Sequence, residues 1–253
     1  MKRWILASLC ALLLAAPALA GPGAGQLRIV YLEFPAFHWH DQQGQMQGMF
    51  YEIIQEALVR RMGLTTVWET QPWARCQASV RDGKADAMLT VPTAERAKYS
   101  VASAEPFYVK REYIFTYADH PRLQEIRALR SVADIHKAGF SVITYNENGW
   151  NKAHVEPLGI PVHKANTLQG VWRMLAEHRG DLVIEWPPAA WMDIRALGKE
   201  QAIVQCDVVL SSLPFHLLVG KHSPHAKMLP EFDKTVRAMR QDGTMDRLLR
   251  DWR

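Results

Sequence analysis

The stretch GKADAMLTVPTAER, residues 83–96, is the most informative part of this chain. Gly83 predicts the end of one helix, residues 86–90 form a short buried strand, and Thr93 predicts the start of a new helix. That order places Arg96 in the first turn of the new helix, beside backbone N–H groups that have no partner within the helix. Such a geometry suits a carboxylate.

Strands and helices alternate on both sides of this stretch, which predicts a mostly parallel α/β architecture. The predicted strands are residues 27–32, 65–69, 86–90, 141–144, 161–164 and 181–186. The predicted helices are residues 48–62, a helix that starts at Pro72, one from about Asn148, residues 168–175 and one after Pro188. Two β-prone runs, residues 108–117 and 202–210, suit a chain that crosses between two lobes. Residues 217–253 predict a strand and two helices that complete the first lobe.

Residues 1–20 have the pattern of a secretory signal peptide. Lys2 and Arg3 precede an apolar run, and Ala18-Leu19-Ala20 forms a small-residue cleavage site. Cys10 lies inside the apolar run, so it does not match the acylated cysteine of a lipoprotein signal. No later apolar run approaches the roughly 20 residues that a membrane helix needs. We therefore expect an exported, periplasmic protein.

Charge and cysteine content narrow the functional classes. The formal net charge of +4 falls to +2 without Lys2 and Arg3, and no basic run is interleaved with aromatics. Nucleic acid is therefore not an expected partner. Two cysteines remain after the leader, Cys76 and Cys206. An oxidising compartment permits a disulfide between them, and two buried thiols are the alternative.

Five short motifs occur in a fixed order along the chain. They are Phe34-Pro35-Ala36-Phe37, Gly48-Met49-Phe50-Tyr51-Glu52, residues 83–96, residues 103–108 and Arg240-Gln241-Asp242-Gly243-Thr244. Together they resemble the family 3 extracellular solute-binding proteins, periplasmic receptors best known for polar amino acids, over essentially all of the mature sequence. The resemblance implies a bilobed periplasmic-binding-protein type II fold, with two mostly parallel-sheet α/β lobes joined by two crossing strands and a ligand cleft between them. It places lobe 1 at residues 27–108 and 213–253, lobe 2 at 113–207, and the hinge strands at 109–112 and 208–212.

The resemblance implies specific ligand contacts in lobe 1. Arg96 is similar to the family's carboxylate-binding arginine, whose planar guanidinium can take both carboxylate oxygens. The alternative is a surface arginine paired with Glu95. Phe34 and Trp73 align with two aromatic walls, and core packing is their alternative role. The remaining candidates in this lobe are Thr90, Thr93, Glu33 and Phe37, with a capping role as the alternative for Thr93.

In lobe 2 the sequence departs from the family pattern. An aspartate that takes the ligand's ammonium group usually follows the last parallel strand, but Trp186 occupies that place. Glu185 is adjacent, yet strand alternation predicts that the two side chains cannot both enter the cleft without a local bend. The ligand is therefore not required to carry an α-amino group. The resemblance implies that Tyr145, Asn146 and Asn148 form the other wall of the cleft at a helix N-terminus, and the alternative for Asn148 is a capping role only.

These observations predict a monomeric periplasmic receptor that closes around a small polar, carboxylate-bearing solute, such as an amino acid. The predicted chemistry is recognition alone, with no cofactor, and the predicted partner is an ABC transporter permease in the inner membrane or, alternatively, a membrane sensor. An exported enzyme that resembles cyclohexadienyl dehydratase is the catalytic alternative, with Glu185 or Glu33 as general acid. Metal binding is a third class, because His38-Trp39-His40-Asp41, His222 and His225 offer ligand types without a set of three or four.

Overall fold

The computed structural model describes residues 25–146, 148–250 and 252. The predicted signal peptide lies outside these residues. The strands are β1 (Leu27–Tyr31), β2 (Trp39–His40), β3 (Met46–Gln47), β4 (Thr66–Thr70), β5 (Ala87–Thr90), β6 (Ser100–Ala102), β7 (Tyr108–Tyr117), β8 (Val142–Tyr145), β9 (Val162–Ala165), β10 (Val183–Glu185) and β11 (Ile203–Gly220). The α-helices are α1 (Met49–Ile54), α2 (Trp73–Arg81), α3 (Leu123–Ala128), α4 (Val132–Ala138), α5 (Gly149–His154), α6 (Leu168–Ala176), α7 (Pro187–Ala196), α8 (Leu229–Gln241) and α9 (Thr244–Arg250). Among the described residues, no helix is long and apolar enough to cross a bilayer.

Lobe 1 is built on three parallel strands. β1 lies between β4 and β5, and the C-terminal part of β11 pairs with β5 in the antiparallel direction. Helices α1 and α8 cover this sheet and bury Phe50, Ile53 and Phe232 in one apolar cluster. Because β1, β4 and β5 run parallel, their carboxyl ends meet at one edge of the sheet, where loops and helix N-termini gather.

Lobe 2 has a separate two-stranded sheet, β8 with β9, and its strand β10 extends the sheet of lobe 1 through β7 and β11. β8 pairs with β9 in parallel, a bridge between Val142 and Leu182 joins β8 to the segment that leads into β10, and β10 pairs with β7. One apolar cluster forms around Ile135 and Phe140, and a second around Trp172. Lobe 2 therefore has apolar clusters distinct from the one that contains Phe50 in lobe 1.

Two long strands connect the lobes. β7 and β11 pair in the antiparallel direction from Tyr117 opposite Ile203 to Tyr108 opposite Phe215, with register shifts on both sides of Val209. The chain passes from lobe 1 to lobe 2 along β7 and returns along β11, which is the predicted bilobed type II fold. The predicted hinge segments, 109–112 and 208–212, lie within this ladder, and their role in bending stays a prediction.

Most predicted elements are present, and several boundaries differ. The helix predicted at residues 48–62 is α1 followed by a π-helix, Gln55–Arg61, in which the Met62 N–H bonds the Ala57 carbonyl at 3.1 Å. Pro72 is the N-cap of α2 and Trp73 its first helical residue. The strand predicted at residues 202–210 continues to Gly220 because β5 and β6 pair with its second half.

The helix predicted to start at Thr93 is a correction to the sequence analysis. After Thr93 the structure has a short 3₁₀ turn, Arg96–Lys98, in place of the predicted helix. The Thr93 hydroxyl accepts a bond from the Arg96 N–H at 3.2 Å, and the Thr93 carbonyl accepts one from Ala97 N–H at 2.9 Å. A single turn has no developed helix dipole, so Arg96 must act through its own charge.

Two of the family-like motifs contact each other in lobe 1. The Arg240 Nη1 lies 2.9 Å from Glu105 Oε2, and Arg237 Nη1 lies 3.1 Å from the other oxygen of the same carboxylate. Asp233 on α8 accepts bonds from the backbone N–H groups of Ala104 and Glu105. These motifs fix the end of β6 to α8, so they support the fold of lobe 1.

Cys76 and Cys206, the two cysteines among the described residues, are free and buried, and they lie in different lobes. Cys76 belongs to an apolar cluster under α2, whereas Cys206 lies in a lobe 2 cluster. The structure therefore supports the alternative of two buried thiols. Burial raises the pKa of Cys76 to about 11 and also raises the pKa of Cys206.

Candidate functional site

Lobe 1 places three predicted contacts after strands that end at the same edge. Phe34 follows β1, Trp73 opens α2 after β4, and Arg96 follows β5. Loops after parallel strands are the usual position of ligand contacts in α/β sheets. Topology therefore gathers these side chains on one side of lobe 1.

Arg96 lies against Trp73. Its guanidinium carbon is 5.2 Å from the centre of the indole ring, a cation–π arrangement. Its Nη1 donates to the Val91 carbonyl at 2.7 Å and its Nε donates to Gln77 Oε1 at 3.2 Å. Both acceptors are neutral, and among the described residues Arg96 forms no ion pair. Its guanidinium is held in place, and its positive charge has no paired carboxylate in the part of the chain that the structure describes.

The two threonines near Arg96 have different environments. Thr90 is buried at the end of β5, opposite His216 of β11. Thr93 is exposed and its hydroxyl is used in the turn that precedes Arg96. The capping role accounts for Thr93, and ligand contacts by either residue stay predictions.

Glu33, Phe34 and Phe37 occupy one loop after β1 and face different surroundings. Glu33 Oε1 lies 2.5 Å from His40 Nδ1 at the surface. Phe34 is 49% exposed and lines a cavity of about 310 Å³ between the lobes. Phe37 is only 6% exposed and packs in the core of lobe 1. Only Phe34 among them lines this cavity, so it is the one that can meet a ligand there.

Tyr145, Asn146 and Asn148 follow β8 in lobe 2. Tyr145 lines the 310 Å³ cavity and a smaller adjoining one of about 170 Å³, which Asn148 also lines. Asn148 Oδ1 accepts the Asn151 N–H at 3.1 Å and so caps α5. Asn146 bonds Asn166 at 3.0 Å and is not among the residues that line either cavity.

Glu185 and Trp186 both line the larger cavity. The chain bends between them because β10 ends at Glu185 and Trp186 is the N-cap of α7. Glu185 Oε1 accepts the Trp186 backbone N–H at 2.8 Å. This is the local bend that strand alternation required.

Burial in the cavity raises the pKa of Glu185 to about 7, and the nearby Glu112 carboxylate adds to the effect. Lys110 opposes this shift, but its Nζ is already paired with Glu112 Oε1 at 2.8 Å. Asp193 on α7 lines the same cavity, and its pKa is also raised by burial. The lobe 2 side of the cavities therefore holds more carboxylates than cations, which suits a cationic group on a ligand.

Lys110, Glu112 and Asp193 were not identified from the sequence as site residues. The available signal was the alternation of Lys110 and Glu112 along β7, since residues two apart on a strand face the same side. Asp193 carried no such signal, because its position depends on how α7 packs.

The side chain of Trp186, a lobe 2 residue, packs into the core of lobe 1. It is 1% exposed, its ring lies 4.1 Å from that of Phe37 in a stacked arrangement, and its Nε1 donates to the Tyr108 hydroxyl at 2.6 Å. It belongs to the same apolar cluster as Phe50 and Phe107 of lobe 1. The place of the family's ammonium-binding aspartate is thus taken by an indole that packs the two lobes together.

Arg96, Trp73, Thr90, Thr93 and Glu33 are not among the residues that line the two interlobe cavities around Glu185. The structure brings Phe34, Tyr145, Glu185 and Trp186 together at the larger cavity and places Arg96 with Trp73 elsewhere on lobe 1. Their joint use in one site stays a prediction.

The described part of the chain contains no group of three or more His, Cys, Asp or Glu side chains that could hold a metal ion. Of the histidines considered for it, His38 is buried against Tyr31 and Phe50, and His40 pairs with Glu33.

Comparisons with solved structures show the fold. The chain is similar to an ancestral cationic amino acid solute binding protein (AncCDT-1), with 21% identity, a TM-score of 0.68, and coverage of 90% of this chain and 95% of the other. The unliganded, open L-cystine receptor of Neisseria gonorrhoeae shares 16% identity at a TM-score of 0.72, with 90% and 92% covered. A histidine kinase sensor domain shares 17% identity at a TM-score of 0.59, with 90% and 96% covered.

A search of curated proteins finds no match. The family model for bacterial extracellular solute-binding proteins, family 3, matches residues 27–253, which is nearly all of the chain that follows the predicted signal peptide. The order of the five motifs and the bilobed fold agree with that match. This chain therefore belongs to the family 3 bacterial extracellular solute-binding proteins.

Proposed function

We propose that this protein is a periplasmic receptor that captures a small carboxylate-bearing solute with an amino group, and delivers it to an ABC permease in the inner membrane. The observation that carries the proposal is the uncompensated charge of Arg96, held on Trp73 with only neutral acceptors. A guanidinium fixed in this way can form two charge-assisted bonds to a carboxylate without first breaking an ion pair. Family membership supports a ligand-binding role.

The acidic side of the interlobe cavity supports an amino group on the solute. Glu185 and Asp193 have raised pKa values, and an ammonium group beside them would offset the cost of their burial. Two of the structural neighbours are described as receptors for cationic amino acids and for L-cystine, which are zwitterionic or cationic solutes. An amino acid or a related amine-bearing acid fits both charges.

Hinge closure is the proposed means of capture. A ligand shifts the balance between open and closed forms only through its additional contacts in the closed form. Lobe 1 would offer Arg96 and Phe34, and lobe 2 would offer Tyr145 and Glu185. The closed form would then be recognised by the permease.

A thermal-shift screen of amino acids, polyamines, dicarboxylates and aromatic acids tests the proposal, since a ligand that binds only the folded state raises the melting temperature. We expect an amino acid to produce the largest shift and Arg96→Ala to abolish it. Arg75→Ala is the matched control, because Arg75 is an exposed arginine on the same lobe. If Arg96→Ala leaves the shift unchanged, Arg96 does not contact the ligand. If polyamines without a carboxylate bind best, the carboxylate assignment is wrong and Glu185 becomes the principal contact.

An enzymatic function is a second candidate, supported by one observation. A carboxyl group with a pKa of about 7 in a cleft is matched to general acid catalysis near neutral pH, and Glu185 has that property. Incubation of the purified protein with prephenate or arogenate would show loss of substrate with time if the protein is a dehydratase. A receptor would release each compound unchanged.

A sensory role is a variant of the receptor proposal, supported by the similarity to a histidine kinase sensor domain. The ligand-binding chemistry is the same in both cases. Co-purification with a permease or with a membrane kinase, in the presence of the ligand found in the screen, separates the two.

A further inference from the structure

A further cavity, called the second cavity below, lies on the opposite side of β7 from Glu185 and from the two cavities around it. It has a volume of about 360 Å³. Lobe 1 contributes Met49 and Trp252, lobe 2 contributes Pro187 and Gln205, and Arg111 lies on β7 itself. The volume falls in the range of small-molecule sites, roughly 300–1,000 Å³.

Strand alternation separates this cavity from the cleft proposed above. From residue 109 onward the sides alternate: Lys110 and Glu112 line the cavities around Glu185, whereas Val109, Arg111 and Tyr113 line the second cavity. Tyr108, at the start of β7, also lines the second cavity. Neighbouring residues of a strand face opposite sides, so β7 forms a wall between the two spaces. Trp186 lines both the second cavity and the 310 Å³ cavity, because its ring lies at the junction.

Arg111 is the single charged residue in the described lining of the second cavity. Within the described part of the chain, its side chain has no hydrogen bond or ion pair. It is exposed on β7, opposite Ser212 of β11. An unpaired guanidinium beside apolar walls attracts an anion that also carries an apolar body.

Three other side chains of the cavity can also donate hydrogen bonds. Trp252 Nε1 is buried without a hydrogen-bond partner among the described residues, and an indole N–H can only donate. Gln205 uses its oxygen to accept the Trp191 Nε1 proton at 2.9 Å, which leaves its amide N–H₂ as the free end. Tyr108 accepts from Trp186 at 2.6 Å and keeps its own hydroxyl proton to donate. These donors are complementary to a hydrogen-bond acceptor on a ligand. The aromatic rings that line the cavity are complementary to a planar or branched apolar group.

We infer that the second cavity is a binding site for an aromatic or branched-chain monocarboxylate, with the carboxylate on Arg111 and the apolar body between Tyr113, Trp186 and Trp252. Because both lobes and the connecting strand line the cavity, an occupant contacts all three. Binding there is independent of the carboxylate contact proposed for Arg96.

Phenylacetate is the probe that tests this site, measured by isothermal titration calorimetry on the protein without residues 1–20. We expect phenylacetate to bind, with 2-phenylethanol and phenethylamine at least tenfold weaker, because they lack the carboxylate that pairs with Arg111. Arg111→Gln is expected to weaken phenylacetate binding roughly tenfold or more, the loss typical of a hydrogen bond to a charged group. Arg75→Gln is the matched control and should leave the affinity unchanged.

Arg96→Ala distinguishes this site from the cleft. If phenylacetate still binds to the Arg96→Ala variant and no longer binds to the Arg111→Gln variant, the second site is supported, whatever the result of the amino acid screen. Binding that is lost in Arg96→Ala and retained in Arg111→Gln overturns the inference. Equal affinity for phenylacetate and 2-phenylethanol, or no binding of phenylacetate at millimolar concentration, also overturns it. Far-UV circular dichroism checks that the Arg111→Gln variant is folded. Because Arg111 is exposed, we expect its spectrum to match that of the wild type.

Discussion

Glu185 shows how the surroundings of one side chain set its charge. The half-buried carboxyl group is shielded from water and lies near Glu112, and its nearby cation is a lysine that is already paired. Each of these conditions disfavours the ionised form. The sequence identified the residue, but the raised pKa depends on cavity shape and on Glu112, which lies far away along the chain.

The stability of the protein should depend on the protonation of Glu185. The pKa is about 7 in the folded protein against an ordinary value of 4.5, so the unfolded chain loses its proton first as the pH rises. The contribution of Glu185 to the free energy of unfolding therefore falls between about pH 4.5 and 7 and stays low above pH 7. We expect Glu185→Gln, which keeps an acceptor for the Trp186 N–H, to be more stable than the wild type by roughly 1–3 kcal/mol at pH 8, and equal to it at pH 4.5.

Urea unfolding at both pH values measures this difference. Glu200→Gln is the control, because Glu200 is exposed at the surface. A stability difference between the wild type and Glu185→Gln that does not change with pH would contradict the assignment.

Trp186 is the second residue whose role depends on its three-dimensional surroundings. We expect Trp186→Ala to lower the free energy of unfolding by roughly 3–5 kcal/mol, since it empties a fully buried site against Phe37. Trp186→Phe should cost less, because it keeps an aromatic ring and loses the bond to Tyr108.

A double-mutant cycle of Trp186→Phe with Tyr108→Phe isolates that hydrogen bond. The expected coupling is about 1 kcal/mol. Strict additivity of the two substitutions would show that the 2.6 Å contact contributes nothing to stability.

At the scale of elements, strands and helices were predictable where local signals agreed. β5, β7, α6 and the cap of α5 by Asn148 follow from hydrophobic pattern, length and capping residues. The new helix expected at Thr93 failed because its pattern extends over only one turn, and long-range pairing of β11 with β5 and β6 extended a strand beyond its local signal. Such pairing depends on residues distant in the chain, so a local pattern cannot specify it.

Gly48, the N-cap of α1, is a position where the backbone leaves no room for a side chain. Its φ is 119°, and a β-carbon at this position would lie 2.3 Å from the Phe37 carbonyl oxygen. We expect Gly48→Ala to destabilise the protein by several kcal/mol, on the order of a core substitution, because both the conformation and the close approach exclude a side chain. Gly149→Ala is the matched control at a helix start with open space around it. Thermal unfolding of the two variants checks the prediction, and similar melting temperatures would contradict it.

Asn148 tests the difference between capping and ligand contact at the start of α5. We expect Asn148→Ala to lose about 1 kcal/mol of stability, since it removes the acceptor for the Asn151 N–H, whereas Asn148→Ser should retain most of the cap. If Asn148 also contacts the ligand, both variants should weaken binding of the solute found in the screen. Unfolding curves and ligand titrations of the two variants separate these roles, and unchanged binding in both would leave Asn148 as a cap only.

At the scale of the whole molecule, the two thiols show whether a disulfide links the lobes. Cys76 and Cys206 are buried in separate clusters, and the thiolate is the reactive form. We expect the folded protein without residues 1–20 to react slowly or not at all with Ellman's reagent. The urea-unfolded protein should release two equivalents without prior reduction. No reactive thiols after unfolding, together with a mass lower by two hydrogens, would show a disulfide.

The bilobed architecture itself was predictable because a family signature and the alternation of strands and helices agreed. The arrangement of charges in the cleft was not, since Lys110, Glu112 and Asp193 come from a crossing strand and a helix whose relative position only the packed molecule defines. The family motifs that were easiest to recognise, such as residues 103–108 and Arg240, fix the fold of lobe 1. Recognition of the family therefore says less about the ligand than about the scaffold.

The ladder between β7 and β11 has an architectural consequence for lobe 2. Tyr117 and Ile203 are direct partners where the chain enters and leaves that lobe, so its two ends are adjacent in space. Lobe 2 is thus topologically an insertion into lobe 1, and recombination at these two points could exchange it as a cassette while the rest of the scaffold keeps its connectivity.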